Sequence, residues 1–229
     1  SSFKINEGLK INTYGFASHA DWQGENLRYE DGKFYFDIKN GDVYYPDVEF
    51  GLPGKHNAEN ALSVFALCSI IGVAEDVIRK GFRTFKGVKR RFDFHIRRND
   101  LVVIDDYAHH PTEIRAFLSS IRAIYEGKKV TTVFQPHLFS RTQDFMDDFA
   151  EALALTDELF LLDIYPAREL PIPGVTSEVL IKKIKIKNKY MSTKDTIVSD
   201  LHKASREIVV IVGAGDIDTC IESIVKSYK

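Results

Sequence analysis

The second half of the sequence alternates short apolar runs with stretches whose apolar residues recur at helical spacing. Such alternation is typical of βαβ units, whose connections are right-handed. The pattern therefore predicts an α/β fold with a Rossmann-like, mostly parallel sheet. The predicted elements are strands at Leu101–Ile104, Val130–Phe134, Leu159–Ile164 and Ile208–Val212, alternating with helices to Tyr125, near Asp144–Leu155, near Ser177–Ile184 and over Asp216–Tyr228.

The first 50 residues have a different pattern, with short, partly alternating runs between turn signals. Asp31-Gly32 and Asn40-Gly41 are dipeptides that favour tight turns. The pattern predicts an antiparallel β meander, which is too small to be stable alone and should pack on another element. The predicted strands are Lys10–Phe16, Gly24–Tyr29, Lys33–Ile38 and Asp42–Phe50.

Two helices and a basic connector follow the meander. The first helix has an apolar stripe from Ala61 to Cys68 and a glycine, Gly72, where it should end. The second is predicted over Ala74–Phe85. The connector Lys86–Arg91 separates this region from the alternating pattern, so we place a domain boundary at about residues 86–92. Basic side chains at such a hinge are usually solvated, but they can also clamp a phosphate when domains close.

The composition of the chain excludes several kinds of function. The 229 residues carry a net charge of −2, which implies no general affinity for nucleic acid or an anionic membrane. The longest apolar run, Ala61–Ala74, is shorter than the roughly 20 residues of a membrane span. Cys68 and Cys220 lie in apolar helical patterns and predict a reducing, cytoplasmic location. No signal peptide is visible, and without an initiating Met we expect a piece of a longer chain.

The segment Asp105–Ala116 places polar chemistry at the carboxyl end of a predicted strand. Two aspartates, Tyr107 and two histidines precede a helix in which Pro111 and Glu113 suit the first turn. Each of these residues alone is explained equally well by a structural role such as capping. As a group they favour a ligand site, because clustered titratable side chains are costly to place without partners.

Two later strands end in the same way. His137 and Arg141 follow Val130–Phe134, and adjacent parallel strands would bring them beside the first cluster. The planar fork of Arg141 suits a carboxylate. The segment Leu162–Glu169 should form the next part of this rim.

Three other features have less specific interpretations. Asn57 and Asn60 could read a purine edge from one helix face, or be a helix cap and a solvated residue. Gly213–Ile217 lacks the third glycine of a dinucleotide fingerprint, so a tight strand-to-helix turn is the better prediction. The lysine-rich segment Lys182–Lys189 fits an exposed edge strand or helix end.

Taken together, these motifs resemble those of the Mur ligases over nearly the whole chain, from about residue 10 to the end. Several long motifs at consistent spacing make the resemblance specific. The motifs are Asp105–Glu113 (DDYAHHPTE), Phe134–Thr142 (FQPHLFSRT), Leu52–Ala61 (LPGKHNAENA), Arg90–Phe92 (RRF) and Gly213–Ile217 (GAGDI).

The resemblance implies a fold and a reaction. It implies that residues 1–87 are the carboxy-terminal part of an ATP-binding central domain and residues 88–229 a C-terminal domain on the amino-acid side. The nearest branch of the family joins L-alanine to UDP-N-acetylmuramate in peptidoglycan precursor synthesis. ATP phosphorylates the lactyl carboxylate, the amine of L-alanine attacks the acyl phosphate, and Mg²⁺ with basic side chains stabilises the developing charge.

The resemblance also implies roles for single residues. On the nucleotide side, Asn57 and Asn60 match adenine-side asparagines, Arg91 the hinge arginine that reaches ATP, and Asp106 the aspartate at the ribose hydroxyls. On the acyl side, four residues match the surroundings of the acyl group and the amino acid, with Arg141 assigned to the alanine carboxylate and the two histidines to orienting the acyl or amine group. These four are Tyr107, His109, His137 and Arg141.

Two departures from the family pattern change the expectation. Leu138 stands where some members have a basic residue, and no Gly-x-x-x-x-Gly-Lys-Thr/Ser loop occurs. The residues that hold Mg²⁺ are expected outside this chain, as are the amino-terminal and remaining central-domain segments. We therefore expect a fragment that is inactive alone.

Other interpretations remain open from the sequence. Within the family, a recycling ligase that attaches a whole tripeptide shares the His-His-Pro-Thr core, although Arg141 favours a single amino acid. A non-catalytic nucleotide-binding module fits the polar rim. A metal-dependent hydrolase is the alternative from another class, with ligands drawn from Asp105, Asp106, His109, His110 and His137.

Overall fold

The protein, seen in a computed structural model, is described over residues 9–17, 19–30, 33–203 and 207–229. It divides into two compact units, residues 1–86 and residues 87–229. The turn expected at Asp31-Gly32 lies outside the described residues. Across the described ranges, none of the helices combines the length and the apolar character needed to cross a membrane.

The first unit is a four-stranded sheet with two helices against one face. Its second to fourth strands form the predicted antiparallel meander, with Gly41 at φ 58° in the tight turn. The first predicted strand differs, because only two of its residues pair, and they pair in parallel. The elements are β1 (Tyr14–Gly15), β2 (Trp22–Glu30), β3 (Lys33–Asn40), β4 (Val43–Phe50), α1 (Lys55–Ile70) and α2 (Glu75–Thr84).

Helix α1 begins before its apolar stripe. Gly54 is its N-cap at φ 100°, a conformation that glycine adopts readily. Asn57 therefore lies in the first turn and is not the cap, and its Nδ2 donates to the carbonyl oxygen of Pro53 at 2.6 Å. The buried face of α1 packs with the inward side chains of the sheet. This core contains Trp22, Phe36, Ile38, Val48, Phe50, Ala58, Ala61, Leu62, Phe65, Ala66 and Ile78.

The second unit is a six-stranded sheet in the order β5-β6-β10-β7-β8-β9. Only the pair β5–β6 is antiparallel, which confirms the α/β class and the mostly parallel sheet. The strands are β5 (Asp93–Arg97), β6 (Val102–Asp106), β7 (Val130–Phe134), β8 (Glu158–Leu161), β9 (Asn188–Met191) and β10 (Ile208–Val212). The helices are α3 (Pro111–Ile124), α4 (Phe139–Asp144), α5 (Met146–Leu153), α6 (Ser177–Lys183), α7 (Ile197–Leu201) and α8 (Ile221–Ser227), with a 3₁₀ helix at Asp216–Cys220.

Both faces of this sheet are buried. Alternate residues of a strand point to opposite faces, so Val210 and Val212 join one core cluster while Val209 and Ile211 join the other. Helices α3 and α5 cover the first face, and α7 and α8 cover the second. Strands covered on both sides have continuous apolar sequences, which explains why β6, β7 and β10 are recognisable from sequence.

The structure differs from the sequence prediction in several elements. Strand β5 and helix α7 were not predicted, and the helix expected near Asp144–Leu155 is two short helices that meet at Phe145. The segment Lys182–Lys189, expected to be an exposed edge strand or a helix end, contains the end of α6 and the start of the edge strand β9. The last strand, β10, lies between β6 and β7 and separates them.

Candidate active site

Three parallel strands of the second unit end at the same level. Asp106 of β6 and Phe134 of β7 are both in register with Val212 of β10. The segments that follow these strands therefore start along one edge of the sheet, where open α/β sheets bind ligands.

A capping box fixes the segment after β6. His110 is the N-cap of α3 and Pro111 its first residue, and Glu113 Oε2 accepts from the backbone N–H of His109 at 3.1 Å and of His110 at 3.2 Å. Burial opposes ionisation of Glu113, but these N–H groups and the nearby His109 outweigh it and lower its pKa. His110 also accepts from the N–H of Thr112 at 3.3 Å, so its role is structural.

The cap directs His109 into the rim. Its Nδ1 lies 3.0 Å from the carbonyl oxygen of Tyr107. A carbonyl oxygen only accepts, so Nδ1 carries a proton and Nε2 is the ring nitrogen that remains for another partner. The Tyr107 and His109 ring centroids are 5.4 Å apart.

A second set of contacts fixes the segment after β7. Leu138 is the N-cap of α4 at φ 75°, and its N–H donates to the carbonyl oxygen of Tyr165 at 2.9 Å. Ser140 donates to Glu169 through its N–H at 2.9 Å and its hydroxyl at 2.5 Å, which lowers the pKa of Glu169. The segment after β8 is thus part of the rim, as predicted, and it sets the start of the helix that carries Arg141.

The two clusters meet even though their strands are not neighbours. The His109 and His137 ring centroids are 6.0 Å apart, and Arg141 Nη1 lies 3.3 Å from His137 Nδ1. The prediction of adjacent strands was wrong, because β10 intervenes. The segments that follow β6 and β7 meet above the end of β10. Gly213 follows β10 at φ 147°, and a Cβ atom there would lie 2.8 Å from the carbonyl oxygen of Gln135, so glycine allows this close approach.

Arg141 and His137 form a polar pair, and the charge of the Glu169 carboxylate acts on both of them without forming an ion pair with Arg141 among the described contacts. Arg141 is partly buried, and among the residues that the structure places it forms no ion pair. It donates to Nδ1 of His137, which must therefore be unprotonated. Burial, then the charge of Arg141 and the nearby His109, lowers the pKa of His137. His137 is thus a neutral imidazole whose Nε2–H is a donor, beside a cation suited to an anionic group.

Two of the residues expected at the nucleotide lie beside this cluster. The carboxylate of Asp106 accepts from the N–H groups of Phe92 and Ala108, both at 2.8 Å, so it holds the connector to the strand end. The guanidinium of Arg91 is 5.7 Å from the Tyr107 ring centroid, and Arg91 is exposed.

A buried charge pair beneath Tyr107 was missed by the sequence analysis. Arg90 Nε lies 3.4 Å from Asp105 Oδ2, and its guanidinium also contacts the carbonyl oxygen of Gly213 and the face of Tyr107. Asp105 is 1% exposed, and neither of its oxygens accepts a hydrogen bond from a described residue. Burial raises the pKa of Asp105 to about 7, although Arg90 opposes this shift. The basic run Lys-Arg-Arg indicated that a cation lies near the aspartates, but it did not show which arginine side chain points into the unit.

The glycine-rich segment after β10 is a tight turn, as predicted, and not a dinucleotide-binding loop. Hydrogen bonds connect it to the residue that follows β7. Gln135 donates to Asp216 at 2.8 Å and accepts from the N–H of Ile217 at 3.0 Å. A Cβ atom on Gly215 would lie 2.4 Å from Gln135 Oε1 and 2.7 Å from Cβ of Tyr165. Asp216 also pairs with Lys194. Gly215 is therefore required for close packing.

Within the first unit, Asn57 and Asn60 line one cavity of about 460 Å³ between α1 and α2. They share a helix face, and the other lining residues are mainly apolar. Apolar walls with a few polar groups are typical of small-molecule sites. In the part of the chain that the structure describes, no three histidine, cysteine, aspartate or glutamate side chains converge as metal ligands. The metal-hydrolase interpretation therefore lacks a ligand set here.

Comparison with known families identifies the fold. The glutamate ligase domain of the Mur ligases matches residues 90–217, and the Mur ligase middle domain matches residues 2–68. The chain belongs to the Mur ligase family. This confirms the resemblance seen in the motifs.

Curated relatives of this Mur ligase chain are UDP-N-acetylmuramate–L-alanine ligases. That of Parabacteroides distasonis is 45% identical over 221 residues, which are 96% of this chain and 48% of the relative. That of Cytophaga hutchinsonii is 47% identical over 212 residues, 93% of this chain and 46% of the relative. The chain thus spans about half the length of the curated relatives that it matches.

Solved Mur ligase structures have the same fold. The UDP-N-acetylmuramate–alanine ligase MurC of Thermotoga maritima superposes with a TM-score of 0.77 at 27% identity, covering 95% of this chain and 47% of that one. A murein peptide ligase of Psychrobacter arcticus has a TM-score of 0.62 at 23% identity over 94% and 45% of the two chains. At that identity the second likeness shows the fold alone.

Proposed function

We propose that this chain is part of an ATP-dependent ligase that joins L-alanine to UDP-N-acetylmuramate in cytoplasmic peptidoglycan precursor synthesis. The observation that carries the proposal is Arg141, a partly buried cation without an ion pair among the described residues, in a chain 45–47% identical to ligases of that name. A free amino acid supplies the carboxylate that Arg141 lacks.

The domain assignment is part of the proposal. Residues 1–87 are the end of the ATP-binding central domain, and residues 88–229 are the C-terminal domain on the amino-acid side. The matches of the middle-domain and glutamate-ligase-domain profiles support this assignment. The chain is inactive alone, because its sequence has no Gly-x-x-x-x-Gly-Lys-Thr/Ser loop to hold the phosphates.

The histidine tautomers divide the chemistry between two side chains. His137 Nε2–H donates to the acyl oxygen, where negative charge develops during attack. Nε2 of neutral His109 accepts a proton from the alanine ammonium, which leaves the nitrogen lone pair free to attack the acyl carbon. As the C–N bond forms, the bond between the acyl carbon and the phosphate oxygen breaks and inorganic phosphate leaves. Arg141 holds the alanine carboxylate bidentately, and Tyr107 borders the acyl group.

Four residues are assigned to ATP, which supplies the phosphoryl group that activates the lactyl carboxylate. The amides of Asn57 and Asn60 on a mainly apolar wall fit a purine ring, since an amide offers a donor and an acceptor together. Arg91 is exposed and fits a phosphate, and the carboxylate of Asp106 is of the acceptor type that ribose hydroxyls need. We assign the ligands of Mg²⁺ to the part of the ligase outside this chain.

The second candidate is the ligase that transfers a tripeptide to UDP-N-acetylmuramate. A tripeptide also carries a carboxylate, but a longer acceptor would place it farther from the attacking amine. The contact between Arg141 and His137, which keeps cation and acyl-orienting group together, favours a single amino acid. A non-catalytic nucleotide-binding module would need no such pair.

A reconstitution assay tests the proposal. The chain is combined with a polypeptide comprising the part of the Parabacteroides distasonis ligase outside its match to this chain. Phosphate release is then followed with ATP, Mg²⁺, UDP-N-acetylmuramate and either L-alanine, glycine or a tripeptide. We expect release that depends on L-alanine. Release with the tripeptide alone would assign the chain to the second candidate, and no release from associated, folded polypeptides would refute both.

A further inference from the structure

One arginine of the connector points into the second unit. The side chain of Arg90 is only 18% exposed, whereas its neighbour Arg91 is exposed. The backbone at Arg90 is left-handed, at φ 59°, a conformation that costs free energy for a long side chain. Such a conformation persists only where surrounding contacts stabilise it. The contacts of the Arg90 side chain therefore indicate its role.

The guanidinium of Arg90 contacts segments at the ends of two strands. Its Nε lies 3.4 Å from Oδ2 of the buried Asp105 in β6, and another of its nitrogens donates to the carbonyl oxygen of Gly213 after β10. Its Nη1 lies 3.4 Å from Oδ2 of Asp218 in the 3₁₀ helix. The planar fork of an arginine can contact several acceptors at once, so these groups together fix its position.

Arg90 in turn fixes Tyr107. The backbone N–H of Tyr107 donates to the carbonyl oxygen of Arg90 at 2.7 Å. The guanidinium carbon of Arg90 lies 5.0 Å from the centroid of the Tyr107 ring, and at this distance the ring face attracts the cation. One residue thus holds both the backbone and the ring of Tyr107.

Tyr107 contacts His109 in two ways. Its carbonyl oxygen lies 3.0 Å from Nδ1 of His109, and the two ring centroids are 5.4 Å apart in an edge-on arrangement. Glu113 Oε2 also faces Nδ1, but it is farther away, at 3.5 Å, and already accepts from two backbone N–H groups. The partner of one ring nitrogen decides which nitrogen of a neutral imidazole carries the proton.

We propose that Arg90, paired with Asp105, is a positioning residue that acts through Tyr107 to keep the proton of neutral His109 on Nδ1. Nε2 is then the nitrogen that accepts a proton from the substrate amine. The inference rests on the proposed function only for this use of His109 as a base. Without Arg90, the proton distributes over both nitrogens, and a molecule with Nε2–H cannot accept the ammonium proton.

Nitrogen NMR of the imidazole rings tests the inference on this chain alone, at about pH 8.5, where an ordinary imidazole is neutral. The test variant combines Arg90→Asn with Asp105→Asn. Asparagine tolerates a left-handed backbone but has no guanidinium for Tyr107, and the second change leaves no unpaired buried charge. We expect His109, assigned by comparison with His109→Gln, to carry Nδ1–H in the unchanged chain and to populate both tautomers in the test variant.

Two further variants sharpen the measurement. Arg90→Lys keeps the charge but not the planar fork, so it should give an intermediate tautomer ratio. The matched control combines Arg115→Asn with Glu151→Gln, which removes an exposed ion pair of 3.2 Å from α3 and α5 and should leave the ratio unchanged. Circular dichroism verifies that each variant folds. If the test variant does not fold, Arg90→Lys provides the decisive ratio.

Steady-state kinetics of the reconstituted enzyme test the consequence for catalysis. The test variant should lower kcat about 50-fold, because the base is present in the wrong tautomer and position. The KM for L-alanine should stay unchanged, since Arg141 holds the carboxylate. The control pair in α3 and α5 should change neither constant.

The remaining outcomes separate the inference from the proposed function. A proton on Nε2 of His109 in the unchanged chain, or full retention of Nδ1–H in the test variant, refutes the inference. A changed tautomer ratio with an unchanged kcat also refutes it, because the position of His109 would then not matter for catalysis. The expected tautomer change in this chain, without L-alanine-dependent phosphate release from the unchanged reconstituted enzyme, keeps the positioning role and refutes the proposed function.

Discussion

The two units bury their apolar surfaces to different extents. The sheet of the second unit has core clusters on both faces, whereas α1 of the first unit buries one side and exposes the other. In the second unit it is a polar group that lacks a direct contact, because Arg141 forms no ion pair among the described residues although the charge of Glu169 is nearby. A binding surface can therefore have two chemical forms. One is an exposed apolar helix side, as in the first unit, and the other is a partly buried cation without a direct ion pair, as in the second.

The largest expected difference between the two units is the loss of stability when one leucine in each is replaced by alanine. Leu118 is fully buried in α3, so Leu118→Ala should lower the free energy of unfolding of the second unit by about 3 kcal/mol. Leu67 is 59% exposed, so Leu67→Ala in this chain alone should change stability by less than about 0.5 kcal/mol. Urea titration followed by circular dichroism measures both. Equal losses would show that the side of α1 that carries Leu67 is already buried in the chain.

The next contrast concerns the polar site. In the reconstituted enzyme, Arg141→Ala should raise the KM for L-alanine roughly 100-fold, because the carboxylate loses a bidentate charged partner. The KM for UDP-N-acetylmuramate should stay unchanged. Arg141→Lys should recover part of the loss, and Arg168→Ala, at an exposed arginine of the same unit, is the control. Equal effects on both substrates would remove Arg141 from the amino-acid site.

A smaller effect is expected from adding one methyl group to each unit. Gly215→Ala should destabilise the second unit by about 2 kcal/mol, because the new Cβ would lie 2.4 Å from Gln135 Oε1. Gly81→Ala in α2 has nothing within 4 Å of its new Cβ and should stabilise the first unit by up to about 1 kcal/mol. Thermal unfolding measures both changes. A neutral Gly215→Ala would mean that Gln135 moves freely.

The last expected effect is a pH dependence of the stability of the second unit. The pKa of Asp105 is about 7 when folded, near Asp93, Asp106, Asp218 and Arg90, against an ordinary value of 3.8. The folded state therefore binds more protons than the unfolded state between these values, and stability falls as pH rises from about 4 to 7 by at most roughly 1.4 kcal/mol per pH unit.

Asp105→Asn isolates this contribution. Chemical denaturation at several pH values should show a flatter profile between about pH 4.5 and 7 in this variant. Below that window, carboxylates with lowered pKa values, such as Asp37 at about 2, give the opposite slope in both proteins. Asp163→Asn, at an exposed aspartate, should keep the original profile. An unchanged slope in Asp105→Asn would mean that Arg90 keeps Asp105 charged.

Burial decided how much of the fold was predictable from the sequence. Strands β6, β7 and β10 are covered on both faces and read as continuous apolar runs, whereas the edge strand Asn188–Met191 alternates exposed and partly buried residues and reads as a solvated segment. The position of β10 between β6 and β7 could not be predicted from the sequence, because strand order depends on pairing between residues that are distant in sequence.

Most residues of the candidate site could be predicted from the sequence, but their arrangement in space could not. The sequence indicated that His109 and His137 meet, but the supposed reason, adjacent strands, was wrong. The buried pair of Arg90 and Asp105 was not visible, because positive φ angles at Arg90 and Phe92 decide which side chain of the basic run turns inward. Backbone angles of this kind follow from tertiary packing rather than from local pattern.

The central place of β10 has a consequence for the order of events during synthesis. On the ribosome, β6 and β7 are made about 75 residues or more before the strand that joins them, since β10 begins at Ile208 and β7 ends at Phe134. Until that strand emerges, both neighbours expose unpaired edges, which are templates for association with other chains. The nascent second unit should therefore be a chaperone client until its last strand closes the sheet.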